Sequence, residues 1–404
     1  MEKERKIIII IIVFYLLYIT LFLAKFDFNP SATIEISKNY PHSYFGRMPP
    51  HLVIHDSNGF DGQYYYFMAL NPDLDDIDTN PAFLQRILYP ILTVVFSLGV
   101  KQIFPIMMLL INFASAILSC CILLLFLRKY KASPLLALLC AINVGFLIAI
   151  LRNLTEPLMM LLIIASIYFL DKKEYVISSI FLSFALLTRE LAFTVYAAIL
   201  LFFLFKKEFK NFFIFSLSII PFCIWETILV LKKNTAPLGQ SFFTISNPLI
   251  GFINYFRDVP LNLNQYIVNP ALNNQLLTHE ALTNVYNTFN VIPLLILIII
   301  QLIIITIVFI KNKKITIHFL LLLSQITLFL ALRKNLFDYH QIDGVGRYAI
   351  PLVFFAIIYY VKEKENFNKF LNFLSLTSIF LLLLNSITYI ITRIIFFKSP
   401  FYIS

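Results

Sequence analysis

Charge is the scarcest feature of this 404-residue chain: Asp, Glu, Lys and Arg together supply 13% of it, where soluble domains carry about 25%. Hydrophobic residues supply 60%, and mean hydropathy is +0.83. One soluble core cannot hide that much apolar surface, which defines the class as a polytopic membrane protein. Glycine numbers nine and tryptophan one, and nothing resembles a Walker loop. The four cysteines, Cys120, Cys121, Cys140 and Cys223, all fall inside apolar runs. That excludes a disulfide framework or a cysteine metal pattern and leaves them as packing residues. No small-x-small cleavage site follows the first apolar stretch, Ile7 to Ala24, which is also too long for a signal-peptide core; it reads as a retained first span. The preference for Phe, Ile, Lys and Asn over Ala, Gly and Arg suggests an AT-rich, bacterial coding sequence.

What is present in abundance is apolar helix. Segments able to approach the roughly 20 residues of a bilayer crossing are 7–24, 103–127, 134–151, 156–170, 175–188, 191–205, 212–231, 290–310, 315–332, 348–361 and 370–391. The fold expected is all-α and polytopic, with about 11 transmembrane helices. A module 1–231 includes a first external loop, 25–100; a second external loop, 232–289, leads to a C-terminal transmembrane module, 290–404. With the N-terminus in the cytoplasm, "RKYK" (128–131), "DKKEY" (171–175), "FKKEFK" (205–210), "KNKK" (311–314) and "KEKENFNK" (362–369) all become cytoplasmic turns. Every dense lysine cluster except Lys232–Lys233 then obeys the positive-inside rule. The stretch 175–205 is read as two short helices meeting at Arg189–Glu190, because one long helix would reverse everything downstream. Each is only about 22 Å long, so the junction lies below the membrane surface, beside protein or a wet cavity.

Arginine breaks the pattern that lysine obeys. Only Arg5 and Arg128 fall inside; the other eight, among them Arg86, Arg152, Arg189 and Arg347, fall outside. A bound anion would explain that, since the planar guanidinium suits phosphate or carboxylate and stays charged at low dielectric. Ion pairs with Glu156, Glu190, Asp258 or Asp338 at helix ends are the plainer alternative.

The first loop contains "NGFDGQYYYFMAL", Asn58 to Leu70. "DG" marks a turn, and "QYYYFMAL" forms a short helix at the interface, where tyrosine keeps its ring apolar and its hydroxyl wet. Asp61 is either the N-cap of that helix or a chemical group. "RILYP" leads from Arg86 into a second interfacial helix ending near Gly99. The acidic run "DLDDID" (73–78) lacks the glycine and terminal glutamate of a calcium loop and reads as a solvated turn. His51 and His55 could chelate a divalent cation if "HLVIH" were helical, but Pro49 and Pro50 favour an extended segment, so no metal is assigned. Further along, "LRNLTEPLMM" brings Arg152 and Glu156 to the outer face, "LLTRELAF" brings Arg189 and Glu190, and "HQIDGVGRYAIP" brings His340, Asp343 and Arg347. Gly344 and Gly346 before Arg347 make a turn into a helix N-terminus, a setting suited to phosphate. All of these groups share one side, so the chemistry is extracytoplasmic and draws on a membrane-dissolved anion.

At "FDGQYYYFMALNPD" and "QRILYPIL" the chain resembles the GT-C superfamily of integral-membrane glycosyltransferases, those with an acid–Gly–x–x–Tyr motif after the first span. "TEPLMMLLIIASIYFL", "FALLTRELAF" and "GRYAIPL" occur in the order such proteins show, and the likeness covers most of residues 1–210 plus the segment near 347. The resemblance implies inverting transfer from a polyprenyl-phosphate-linked sugar to a hydroxyl acceptor. It implies Asp61 as general base, Arg86, Arg189 and Arg347 on the leaving phosphate, and Tyr64 and Tyr65 on the sugar. The second acidic motif of many relatives has no equivalent in 232–289, so a divalent cation is not expected and no other cofactor is implied. The acceptor is a glycan, lipid or protein of the cell envelope, with no nucleic acid involved.

Three other readings compete. A lipid-linked saccharide flippase or transporter would place ionisable groups near the midplane of repeated halves, but here charge crowds one rim and no repeat is visible. An O-antigen-type polymerase or ligase would depend on the later loop, 232–289, with Arg257 and His279. A non-enzymatic scaffold would depend on neither loop. Which loop is essential separates single-sugar transfer from polymerisation.

Overall fold

The computed structural model of the chain describes residues 2–39, 52–56, 59–74, 81–233, 237, 279–331, 342–363, 365, 367 and 369–391. The described residues form an all-α membrane protein whose only sheet is a two-residue parallel pairing of β1 (Ile36–Ser37) with β2 (Ile54–His55), Ile36 opposite Ile54. Five helical segments are long and apolar enough to cross a bilayer: Glu2–Phe26, Lys101–Lys129, Phe209–Lys233, Pro293–Asn312 and Lys369–Ile391. Three shorter apolar helices, Tyr175–Thr188, Ala192–Phe205 and Ile317–Ala331, accompany them. The chain divides into two compact units, one of Met1–Ala141, Phe146–Ser241 and Ile391–Ser404, the other of Ile142–Gly145 and Phe242–Ile390.

In the first unit, α1 (Glu2–Leu23) shows how such a helix is solvated. Ile7, Ile11, Tyr15, Tyr18, Ile19 and Phe22 recur at helical spacing and are buried against protein. Ile9, Ile10, Val13, Leu16, Leu17 and Leu21 are exposed on the other side, where only lipid tolerates them. Residues 24–34 continue as two short 3-10 turns into β1, and α2 (Gly62–Leu70), α3 (Pro81–Leu84) and α4 (Leu88–Phe96) complete the first loop. The long α5 (Phe104–Lys129) follows.

The expected span over 134–151 is two pieces, α6 (Leu136–Ala141) and α7 (Val144–Leu151). The side chain of Asn143 accepts the backbone N–H of Gly145 at 2.8 Å, offering the chain a local alternative to helix. The Tyr15 hydroxyl donates to the freed Ala141 carbonyl at 2.6 Å, so the break leaves that acceptor satisfied within an apolar setting. The helix α8 (Glu156–Asp171) is buried along most of its length. It is joined to α9 (Tyr175–Thr188) by a reciprocal serine pair: Ser166 Oγ donates to the Ser178 carbonyl at 2.9 Å and Ser178 Oγ to the Ser166 carbonyl at 2.7 Å. Such small polar residues let helix backbones approach closely in membranes. The chain breaks after α9 and resumes as α10 (Ala192–Phe205), the two-helix reading of 175–205. Next, α11 (Phe209–Ser216) and α12 (Ile220–Lys233) join through a 3-10 turn into one crossing.

The second unit holds α13 (His279–Asn312), α14 (Ile317–Ala331), α15 (Ile342–Glu363) and α16 (Lys369–Ile391). Helix α13 begins at His279, inside the stretch expected as the second external loop; most of that loop, residues 234–236 and 238–278, lies outside the described residues. Phe309 stacks on Phe319 at 4.9 Å across the turn from α13 to α14, and Gln301 donates to Ser378 Oγ at 3.1 Å, tying α13 to α16.

Candidate functional site

The site is built from the loop that carries Asp61, and two glycines fix that loop. Gly59 takes φ +68°, a conformation L side chains rarely adopt. At Gly62 an added Cβ would fall under 3.0 Å from the Arg152 carbonyl oxygen, so only glycine lets α2 approach that backbone. Between them the Phe60 N–H donates to the Glu35 carbonyl at 3.1 Å, and Gln63 Oε1 accepts the Ser37 N–H at 3.1 Å. Asp61 is therefore held from both sides. It occupies the N-cap position of α2, yet its side chain makes no capping bond. Its carboxylate lies instead 3.8 Å from Arg86 Nη1.

Arg86 lies in the short link between α3 and α4, where its N–H donates to the Phe83 carbonyl at 3.2 Å. Its Nε and Nη2 donate to Glu190 Oε2 and Oε1 at 2.8 and 2.6 Å, a bidentate pair. Its Nη1 donates to the Tyr65 hydroxyl at 2.6 Å, and the guanidinium lies 5.0 Å from the Phe83 ring centroid. Burial alone would raise the Glu190 carboxyl, but Arg86 and then Arg189 outweigh it and hold it below the ordinary carboxylate range. For Tyr65 burial wins over Arg86: the phenol is pushed up to about 12 and stays protonated. Tyr64 stacks on Phe83 at 4.5 Å between centroids.

The dipeptide Arg189–Glu190 sits at the break between α9 and α10, and its two side chains serve different partners. Arg189 Nη1 lies 2.6 Å from Glu156 Oε1 at the first turn of α8, with side-chain exposures of 1% and 0%. The side chains of Asp61 and Glu190 are 19% and 18% exposed, so these carboxylates are more open than the Arg189–Glu156 pair. Arg152 completes the cluster: its Nε is 3.3 Å from Glu35 Oε2, and its guanidinium lies 4.0 Å over the Phe60 ring. The neighbouring Asn153 donates to Thr33 Oγ1 at 2.8 Å, pinning the turn before α8.

Asp61, Tyr64, Tyr65, Arg86, Arg152, Glu156, Arg189 and Glu190 thus all belong to the first unit. Arg86 and Arg189, expected on a phosphate, each lie against a carboxylate, as does Arg152; for Glu156 and Glu190 this is the ion-pair alternative the sequence left open. Arg347 belongs to the second unit, where its side chain is buried near the start of α15. His340 lies outside the described residues, as do His51 and residues 75–78 of the acidic run. The segment around His55 is extended, and its Nε2 lies 3.2 Å from the Ala32 carbonyl, which removes the helical chelator geometry. Among the described residues no group of three or more His, Cys, Asp or Glu is placed to hold a metal ion.

Three site residues escaped the sequence reading, and a fourth, Trp225, stood out only as the sole tryptophan near the end of the 212–231 span. Glu35, Phe60 and Phe83 sit in stretches without periodicity. Trp225 reaches the site from α12, where its Nε1 donates to the Leu84 carbonyl at 3.0 Å. Of the first three, only the acid of "IEI" (34–36), flanked by two isoleucines, carried any signal.

No protein-family model, curated protein or solved structure matches the chain.

Proposed function

We propose that the chain is an inverting glycosyltransferase of the GT-C type, which moves a sugar from a polyprenyl-phosphate carrier to a hydroxyl acceptor. About eleven apolar segments form the transmembrane body in a bacterial cytoplasmic membrane, the N-terminus is cytoplasmic, and the loop bearing Asp61 faces the other side. The observation that supports this most directly is the setting of Asp61: a partly exposed carboxylate at a helix N-terminus, spared from capping and held between two glycines.

In this mechanism Asp61 accepts the proton of the acceptor hydroxyl as that oxygen attacks the anomeric carbon. The bond from that carbon to the phosphate oxygen breaks, and its electron pair leaves with the phosphate. Because the leaving group departs from the opposite face already charged, one carboxylate suffices. Glu190, clamped by two guanidinium N–H groups and held ionised, is the poorer proton acceptor of the two more open acids. Its part, with Tyr65, is to fix Arg86, which in turn positions Asp61. Tyr64 offers an aromatic and a hydroxyl edge to the sugar. Arg152 and Arg189 are assigned to holding the loop and the α8–α10 junction rather than to the phosphate.

The test is sugar transfer in membrane vesicles. Asp61→Asn keeps the shape and removes the base, and should lower turnover by about 100-fold or more while insertion and donor binding persist. Asp61→Glu should recover part of it. Wild-type turnover by a correctly inserted Asp61→Asn protein removes Asp61 from the chemistry.

A further inference from the structure

The second unit contains a cavity of about 450 Å³ at the point where three helix ends meet. These are the C-termini of α13 and α15 and the N-terminus of α14. Its walls mix charge with apolar surface: Lys311, Lys314, Asn312 and Glu363 alongside Val308 and Phe309. A water takes about 30 Å³, and ligand sites run from about 300 Å³ upward, so this space suits a small-molecule group rather than a single bridging water.

Hydrogen bonds at the helix ends hold the backbone around the cavity. The Lys313 N–H donates to the Phe309 carbonyl at 2.7 Å and Lys313 takes φ 52°, which ends α13 in a tight left-handed turn. Thr316 Oγ1 accepts the Phe319 N–H at 3.2 Å and starts α14. Asn312 Nδ2 donates to Glu363 Oε2 at 3.3 Å, joining the ends of α13 and α15. The cavity also has a defined depth. The apolar crossing Pro293–Asn312 ends at the residue that lines it, and Ile310, two residues earlier, is two-thirds exposed on a face with Ile299 and Ile303. In a bilayer, tails would contact this helix up to Ile310, between the lining residues Phe309 and Lys311, which puts headgroups at the Lys311–Lys314 end of the cavity.

We propose that this cavity binds the phosphodiester headgroup of an anionic phospholipid. Lys311 and Lys314 take the phosphate, Glu363 accepts a headgroup hydroxyl, and Val308 and Phe309 meet the start of the glycerol backbone. Two lysines against one glutamate leave a single positive charge in the lining, which complements a monoanionic phosphodiester. A basic pocket between membrane helices is a recognised form of headgroup site. The proposal is independent of the glycosyl-transfer reading, since none of its residues belongs to the first unit.

The experiment uses the full chain purified into nanodiscs of phosphatidylcholine with 10% phosphatidylglycerol, released into native mass spectrometry, with retained phosphatidylglycerol as the readout. At about 1 kcal/mol per lysine, removing either should weaken retention about fivefold, and Lys311→Gln with Lys314→Gln about 25-fold. Lys311→Arg with Lys314→Arg should retain the lipid, and Glu363→Gln should strengthen retention, a gain that misfolding cannot imitate. Lys172→Gln with Lys173→Gln, in another basic turn, should change nothing. Equal retention by the double glutamine variant overturns the site. Equal retention of phosphatidylethanolamine overturns the charge argument, and displacement of the lipid by millimolar inorganic phosphate reassigns the cavity to a free phosphate ion and overturns the lipid occupant.

Discussion

Gly62→Ala adds one methyl group at the first residue of α2, and two opposing effects decide its outcome. Alanine favours helix over glycine by about 0.5–1 kcal/mol. Against that, the new Cβ would lie under 3.0 Å from the Arg152 carbonyl oxygen, a backbone atom that cannot swing aside. Restoring an ordinary contact requires a shift of about 1 Å, and overpacking of this kind costs about 1–3 kcal/mol. The clash therefore wins or breaks even, and the net loss of stability is about 0–2 kcal/mol. The consequence for Asp61, one residue away, is larger than the loss of stability: a 1 Å misplacement of a reacting group costs about 100-fold in rate. Turnover in vesicles, normalised to inserted protein, should fall by about that factor while the melting temperature in detergent changes modestly. Gly99→Ala is the control: Gly99 has positive φ, at +77°, where Gly62 does not, but nothing lies within 4 Å of the added Cβ. It should lose about 1–2 kcal/mol of stability and keep its turnover. Full turnover by Gly62→Ala, or an equal loss in Gly99→Ala, refutes the reasoning.

Glu156→Gln leaves the guanidinium of Arg189 buried without its carboxylate, and should destabilise the protein by about 3–5 kcal/mol in detergent melting; Glu156→Leu with Arg189→Met should recover most of it. The Glu190 carboxyl is held below its ordinary value of 4.5 in the fold, so its pairing contributes fully above that pH and is lost as pH falls through the lowered value. Wild-type melting temperature should accordingly drop more steeply below pH 4.5 than that of Glu190→Gln. Tyr15→Phe removes the bond to the Ala141 carbonyl and should cost about 0.5–1.5 kcal/mol, read as a lower melting temperature with unchanged turnover.

The sequence was most readable where charge interrupts apolar helix. The pair Arg189–Glu190 marked the α9–α10 break because a charged dipeptide inside an apolar run has few places to go. Gly99 likewise marked the end of α4. The break at Ile142–Asn143 was not readable, since neither proline nor charge announces it; the cause is one asparagine side chain bonding its own backbone. The contrast between arginine and lysine placement was visible, but not its meaning. Arg86 finds Glu190 across 104 positions and Arg152 finds Glu35 from a segment with no pattern, and neither pairing follows from local spacing. A run of arginines looks like an anion site in one dimension; in three, Arg86, Arg152 and Arg189 are braces between loops and helix ends.

The lone indole at Trp225 has a practical consequence. It is hydrogen-bonded to the Leu84 carbonyl, two positions before Arg86, and no other tryptophan in the chain contributes to its signal. Its emission therefore serves as an unlabelled optical gauge of the α3–α4 link: a displacement of that link on ligand arrival alters the indole's surroundings, and a stopped-flow trace would time the event without any engineered dye.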